Sequence, residues 1–524
     1  MSPQSAPPAR QLRDCAVVVA PEDNVAVVKS ALVAGDTVEL ADGTLLAITG
    51  TVTPGHRFAT RAVPKGEYVL QYGQPIGTSL GIGAGDPISH DNMTDDVPVV
   101  RDLPDDLSNA APDYFEASER GTFRGFRRPD GLVGTRNWVL VVPTSMCSSH
   151  EAQQIAMVAD LTMYSREKFP NVDGVVALPH NKGCGCGDGS NIEVMLRTLR
   201  NYADHANVGA VVFIDLGCEK TNLTLVGKYL KDHPFGWDKP VLWMGIQEAG
   251  GTQAAIEKGL AAVNEMLPKV NEAQREEVSL EHLVLGVKCG GSDGFSGLSA
   301  NPSLGRVSDL VVRSGGTVLI TEVPEFCGAE HVFANRARNA EVGRQVYATI
   351  DWYKEYAAKF NMVLGENPSP GNKAGGLLNI TIKSLGAMAK AGTTRVEGCI
   401  GYSARPERKG LHLMQGPGYD QESTPGLVAS GANVVVFTTG RGTTIGNAIC
   451  PVIKLTSNTP IHERMKHDLD LSAGGVIDGT ETIDEVGARV FTHLKRVASG
   501  DVLAMAEVNK HREFQFWAEQ TVSL

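Results

Sequence analysis

His282-Leu-Val-Leu-Gly-Val-Lys-Cys-Gly-Gly-Ser-Asp-Gly-Phe-Ser-Gly-Leu-Ser-Ala-Asn-Pro-Ser-Leu-Gly-Arg306 changes character partway along its length. Leu283 to Val287 is a short apolar run, the pattern of a strand buried on both faces. Apolarity stops at Cys289-Gly-Gly-Ser-Asp-Gly294. Glycines there let backbone N–H groups come close to a ligand, while Ser, Asp and Cys supply donors, acceptors and a thiol. Val307 to Arg313 then reads as a helix. Strand, polar glycine loop and helix in succession is how open α/β sheets build sites at the carboxyl ends of their strands. A single loop of this kind can be no more than a tight turn, so its recurrence along the chain decides the reading.

It recurs. Trp138–Pro143 runs into Thr144-Ser-Met-Cys-Ser-Ser-His150, and a helix is predicted from there to about Phe169. Gly174–Leu178 runs into Pro179-His-Asn-Lys-Gly-Cys-Gly-Cys-Gly-Asp188, followed by a helix over 191–205. Gly209–Ile214 leads to Asp215-Leu-Gly-Cys-Glu-Lys220, and Val241–Ile246 leads to a helix ending near Val270. Farther on, Gly316–Thr321 delivers Glu322-Val-Pro-Glu325 and a long helix is predicted over 331–360. Glu366-Asn-Pro-Ser-Pro-Gly-Asn-Lys-Ala-Gly-Gly376 reads as a loop. Thr394–Ile400 and Asn433–Thr438 are strands, the second delivering Thr439-Gly-Arg-Gly-Thr443, and residues 482–500 form a last helix. Strands alternating with helices imply βαβ units and parallel sheets with right-handed crossovers.

Before this α/β body the pattern differs. From Cys15 to about Asp91, short β-like pieces alternate with Pro and Gly turn signals, which predicts a small all-β module. Its turns carry His56 and His90. Acidic, Pro-spaced sequence then marks a linker. The expected organisation is a tail over 1–14, a β-module over 15–95, a linker over 96–122, an α/β domain over 123–278 and a second, Rossmann-like one over 279–524.

The 524 residues exceed one ordinary core, and a net charge of −12 argues against a nucleic-acid partner. No apolar run reaches bilayer length, so no membrane partner is expected. Nine cysteines, an odd number without a secretion signal, point to free thiols and a cytoplasmic location. Cys147, Cys184, Cys218 and Cys289 all fall just after strands, beside Glu219, Asp293 and Glu322 or near His150 and His180. None of these spacings is a Cys-x-x-Cys pair, which speaks against a zinc ribbon. Soft thiolates among carboxylates and imidazoles suit iron. Arg441, between two glycines, is suited to grip a carboxylate, with Lys373 a second cation.

Gly134-Thr-Arg-Asn137, Asp215-Leu-Gly-Cys-Glu219, Cys289-Gly-Gly-Ser-Asp-Gly-Phe-Ser-Gly297, Thr321-Glu-Val-Pro-Glu325, the 366–376 loop and Thr438-Thr-Gly-Arg-Gly-Thr443 resemble the altronate/galactarate dehydratases. Pro54-Gly-His56 and Tyr72-Gly-Gln-Pro-Ile-Gly77 resemble their SAF, or β-clip, domain. Gly328-Ala-Glu330 and Lys383-Ser-Leu-Gly386 sit closer to the altronate branch. The resemblance implies a homodimeric hydro-lyase that turns a sugar acid into its 2-keto-3-deoxy acid with Fe2+, or Mn2+ or Mg2+. The chemistry of that elimination then nominates His56, His90, Lys373 and Arg441 for catalytic roles, and Ser292, Asp293, Asn372, Lys373 and Arg441 for substrate contacts. It also nominates Cys184, Cys218, Glu219 and Cys289 as metal ligands. Cys186 departs from the family pattern and is not expected to ligate. The alternatives are an aldarate dehydratase of the galactarate type, a lyase expelling sulfite, and a non-catalytic sugar-acid-binding protein.

Overall fold

The computed structural model describes residues 9–519. Residues 1–8 of the expected tail lie outside them, and the remainder of that stretch is ordered. Arg10–Gln11 pairs in parallel with Thr37–Glu39, and Leu12–Cys15 forms one helical turn. The module consists of three three-stranded sheets built from strands of two to six residues. Part of its interior, including Val28, Leu32, Val38 and Phe58, is its own core. Val69, Ile76, Ile82 and Met93 instead belong to one continuous core with the α/β body. The module is therefore docked rather than merely tethered.

The body holds two parallel sheets. The first has strands β1 (Trp138–Pro143), β2 (Gly174–Ala177), β3 (Val208–Asp215) and β4 (Val241–Gly245) in the order β2-β1-β3-β4. The second has β5 (Val284–Cys289), β6 (Thr317–Ile320), β7 (Val396–Ile400), β8 (Gly410–Met414), β9 (Val434–Thr439), β10 (Val452–Thr456) and β11 (Leu471–Ser472), in the order β7-β8-β6-β5-β9-β10-β11. All pairings within both sheets are parallel. β1, β3, β5 and β9 are buried along almost their whole length, as apolar runs in a sheet covered on both faces should be. Strand order reverses beside β1 and beside β5. Those are the switch points where such sheets leave a crevice at their carboxyl ends.

Two local readings are corrected. The helix predicted over 331–360 is two helices, Glu330–Ala334 and Ala340–Ala358. The second has its own start, with the Asn339 side chain accepting from the Val342 N–H, a cap that periodicity alone overlooks. The loop 366–376 contains a short helix, Pro370–Ala374, with Ser369 as N-cap in a capping box with Asn372 and Pro370 at the first helical position. Between module and body, the segment after residue 96 is strapped down. Arg101 pairs with Asp351 at 2.6 Å, and the Asn109 amide donates to the carbonyls of Asn335 and Ala337.

The docking contact is made by glycines. The turn at Gly55 abuts Gly294, Gly375 and Gly376 so closely that a Cβ on Gly294 or Gly376 would collide with the Gly55 carbonyl. Buried Arg57 donates to the carbonyl of Gly376 and to Gln71. Gly294→Ala is expected to loosen this face at a cost of about 1–3 kcal/mol, the usual scale of overpacking. Limited proteolysis should then cut faster within residues 96–121 while the α/β body stays resistant. Unchanged cleavage would show that the glycine contact does not hold the module.

Candidate active site

β5 ends in Lys288 and Cys289, and both side chains stay inside the protein. The Lys288 ammonium contacts Glu322, which follows β6, and lies 2.8 Å from Asp420. Lys390 lies 2.9 Å from Glu322 and 3.0 Å from the Cys289 sulfur. Lys383 lies 2.7 Å from Glu325 and 2.8 Å from the Asn367 amide oxygen. Three ammonium groups thus meet three carboxylates in a space almost closed to water. Burial lowers the pKa of each lysine, yet the facing carboxylates, preceded at Lys390 by the Cys289 sulfur, outweigh it and hold Lys288, Lys383 and Lys390 above the ordinary value. Burial raises Glu325, but Lys383, Lys390 and Lys288 bring it below the usual carboxylate value. Cys289 is pushed up to about 12 by burial and by Glu322, which keeps it a neutral thiol. Glu322 itself has φ near +72°, a strained conformation for a residue with a side chain.

Cys289, Glu322 and Glu325 lie within 4.8 Å of one another, a spacing compatible with a single ion. Their charge, however, is already met by ammonium groups, so a cation entering there would have to displace Lys390 or Lys383. A stripped carboxylate–ammonium network is better suited to stabilising charge on a bound anion.

The loops around this network bring most of the sequence-predicted residues together. Asn372 donates to the Ser292 carbonyl at 2.8 Å, and the Gly294 N–H donates to the Gly375 carbonyl. The Ser292 hydroxyl is buried with no hydrogen-bond partner among the described residues. Asp293 is fully engaged: one oxygen accepts from Phe295, Ser296 and Ser457, the other from Asn458. It ties its own loop to the Ser457–Asn458 segment after β10. The N–H groups of Gly440 and Arg441 both donate to the Gly291 carbonyl, so the Arg441 loop is fixed to the end of β5. Arg441 and Lys373 are exposed, and Arg441 stands beside Gly371 of the short helix. His56 is carried in from the module, its Nε2 lying 3.4 Å from the Ala374 carbonyl. Burial, only partly offset by that carbonyl, holds its pKa below the ordinary imidazole value. His90 is not part of this group. It is exposed and pairs with Asp95 at 3.2 Å.

Cys184, Cys218 and Glu219 stand on the other sheet, past the ends of β2 and β3. Glu219 accepts from the N–H groups of Leu216 and Gly217 and from the hydroxyls of Ser145 and Thr144. Burial raises its pKa, but these hydrogen bonds prevail and hold it low. The neighbouring Cys186 is buried in apolar core. His180 is buried against the Pro143 carbonyl, and burial pushes it down to about 4. Sequence reading missed Lys288, Lys383, Lys390 and Asp420. The only local signal was a lysine ending an apolar strand.

With this geometry in hand, comparison with known proteins is informative. Residues 14–96 match the altronate/galactarate dehydratase SAF domain, 125–271 the D-galactarate dehydratase/altronate hydrolase second domain, and 280–522 the D-galactarate/altronate dehydratase C-terminal domain. The altronate dehydratase of Bacillus subtilis (strain 168) is 34% identical over 489 residues, 92% of this chain and 94% of that protein. The altronate dehydratase of Escherichia coli (strain K12) is 35% identical over 464 residues, 87% of this chain and 90% of that one. The galactarate dehydratase (L-threo-forming) of the same strain is 35% identical over 485 residues, 91% of each. No helix among the described residues is long and apolar enough to cross a membrane.

The buried network is expected to govern stability as well as chemistry. Lys288→Met leaves Glu322 and Asp420 without their shared partner and should cost about 3–5 kcal/mol, the range for breaking a buried pair from one side. Denaturant titration measures it, and Lys288→Met/Glu322→Gln should recover part of the loss. A single variant as stable as the native chain would refute the pairing.

Proposed function

The chain belongs to the D-galactarate/altronate dehydratase family, and on that footing we propose that it is a hydro-lyase removing water from an aldonate such as altronate to give the 2-keto-3-deoxy acid. The observation that carries the aldonate is the likeness to two altronate dehydratases along most of the chain. The similar likeness to a galactarate dehydratase keeps an aldarate as the second reading.

Eliminating water from a 2,3-dihydroxy acid requires a base for the weakly acidic C2 proton and assistance for a poor leaving group at C3. Arg441 grips the substrate carboxylate through two parallel hydrogen bonds, and Lys373 adds a second positive charge. The unpaired Ser292 hydroxyl and the Asn372 amide meet substrate hydroxyls, while Asp293 acts by holding the Ser292 loop against Ser457 and Asn458. His56 is the base. Its lowered pKa keeps it neutral at pH 7, and with Nε2–H directed at the Ala374 carbonyl, Nδ1 is the atom that takes the proton. Charge developing on the deprotonated acid is stabilised by the ammonium groups of Lys383 and Lys390. His90 is given no part in this scheme. Iron suits the softness of the strand-end thiols of Cys184 and Cys218, and when bound it supplies Lewis acidity toward substrate oxygen.

Two measurements test this reading. Purified protein supplied with ferrous iron and a thiol reductant is expected to form 2-keto-3-deoxy acid from an aldonate; turnover of aldarates alone would select the second reading, and turnover of neither would reject both. His56→Ala is expected to lower kcat about 10²-fold, the scale for losing a general base. In the native enzyme kcat/KM should fall as pH drops through a pKa below about 6.5, because protonation removes the base. That acid limb should vanish in His56→Ala. An unchanged limb would exclude His56 as the base.

A further inference from the structure

Of the nine cysteines, three are exposed: Cys147, Cys184 and Cys218. Five are buried and Cys399 is half-buried. The three exposed thiols follow β1, β2 and β3, three adjacent strands of one sheet, and their loops bond directly to one another. The Met146 N–H donates to the Lys182 carbonyl at 2.7 Å, joining the first loop to the second. The Ser145 hydroxyl donates to Glu219 at 2.9 Å, joining the first to the third. The Lys220 N–H donates to the Cys184 sulfur at 3.3 Å, joining the third to the second. Gly183, at φ +146°, comes so close to Ser145 that a Cβ would lie 2.8 Å from the serine Cβ. Glu219 is consumed in holding these loops and has little capacity left to ligate.

Thiols are rarely left exposed on three converging loops without a purpose, because free exposed cysteines oxidise. A single tetrahedral ion with metal–sulfur bonds of about 2.3 Å draws its sulfurs to about 3.8 Å from one another. These three sulfurs are not all within 4.8 Å of one another; among the described residues that spacing is met by Cys289, Glu322 and Glu325. Three thiols on three loops bonded to one another suit a polynuclear centre. Hydrogen bonds from the Lys220 N–H to Cys184 and from the Gln247 amide to Cys218, at 3.6 Å, are of the kind that tune iron–sulfur centres.

We propose that Cys147, Cys184 and Cys218 are the protein ligands of an iron–sulfur cluster of the [4Fe–4S] type, three thiolates serving four irons. One iron then has no protein ligand, and its open position is where the oxygens of a hydroxy acid can bind. No electron transfer is invoked; the cluster acts as a Lewis acid. This inference rests on placing iron at the strand-end thiols, and it adds Cys147 and inorganic sulfide to that placement.

The test is full-length protein produced and purified without oxygen. About four irons and four acid-labile sulfides per chain are expected, with visible thiolate-to-iron charge-transfer absorption and an electron paramagnetic resonance signal on one-electron reduction. Cys147→Ser, Cys184→Ser and Cys218→Ser should each lose most of the iron, sulfide and absorption while circular dichroism stays native. Cys399→Ser should keep them. Iron without sulfide, zinc in place of iron, or a full cluster in Cys147→Ser would each overturn the inference. Dehydration by a sulfide-free ferrous enzyme would overturn the cluster and leave the proposed function standing. A sulfide-containing cluster in a protein that dehydrates no sugar acid would do the reverse.

Discussion

Lys288 is a charged residue at the end of a strand in the middle of a seven-stranded sheet, and its burial constrains everything around it. An isolated ammonium there would be far costlier than the protein's net stability. It is tolerable only because Glu322 and Asp420 meet it, which fixes the loop after β6 and the start of the helix Asp420–Ala429 against the end of β5. Glu322 in turn requires Lys390, and Glu325 requires Lys383, so the helix Ile380–Met388 and the turn after it are drawn into the same network. Replacing such a network with apolar side chains is often neutral or stabilising for a fold. Its retention here is better explained by what it offers an anionic reactant: ammonium groups already oriented and already dehydrated.

The glycine contacts then set how a second chain segment reaches that network. Gly55 needs a positive φ of 84° and bare backbone on the opposite side, and Gly294 and Gly376 provide it. The backbone approach brings His56 to the Ala374 carbonyl, next to Asn372 and Lys373. Arg57 ties the turn to Gly376, and Tyr72 closes the same face, its hydroxyl lying where a Cβ on Gly297 would stand. An imidazole delivered by a separate module is thereby held by main-chain contacts, which are more rigid than a side-chain handshake.

Much of this architecture was legible in the sequence because it is local. Apolar runs ending in glycine-rich polar loops identified β1, β3, β5 and β9 and the crevices at their ends. Errors came where a short-range signal was overlooked, as with Asn339 capping a second helix and Ser369-Pro370 starting a helix inside a Pro/Gly loop. The ion network was illegible for a different reason. Lys288, Glu322, Lys390 and Asp420 are brought together only by the crossovers of a parallel sheet, and no spacing in the chain encodes that meeting. The exposure of Cys147 beside the burial of Cys186 is likewise a tertiary fact. A sequence pattern reads both simply as cysteines in polar loops after strands.

The two sheets divide the chemistry by hardness and charge. The four-stranded sheet presents soft thiols in loops that are open to solvent and braced by Glu219, a setting that favours a metal centre. The seven-stranded sheet presents buried ammonium groups matched by carboxylates beside neutral Cys289, a setting whose charge is internally balanced. Placing both functions on one sheet would make each lysine a competitor for the metal's ligands. The sheets are nonetheless joined, since Leu319, Val435 and Phe437 share a core with Leu140, Val142 and Phe213. Their loops also face one another: burial raises the Glu422 carboxyl above its usual range, and the Lys182 ammonium, on the loop of Cys184, partly opposes that. A reactant with a carboxylate at one end and a departing hydroxyl near it has the same two-sided demand. It needs fixed cations for its anionic group and a Lewis acid for its oxygen, and loops from two unlike sheets can supply the two without either cancelling the other.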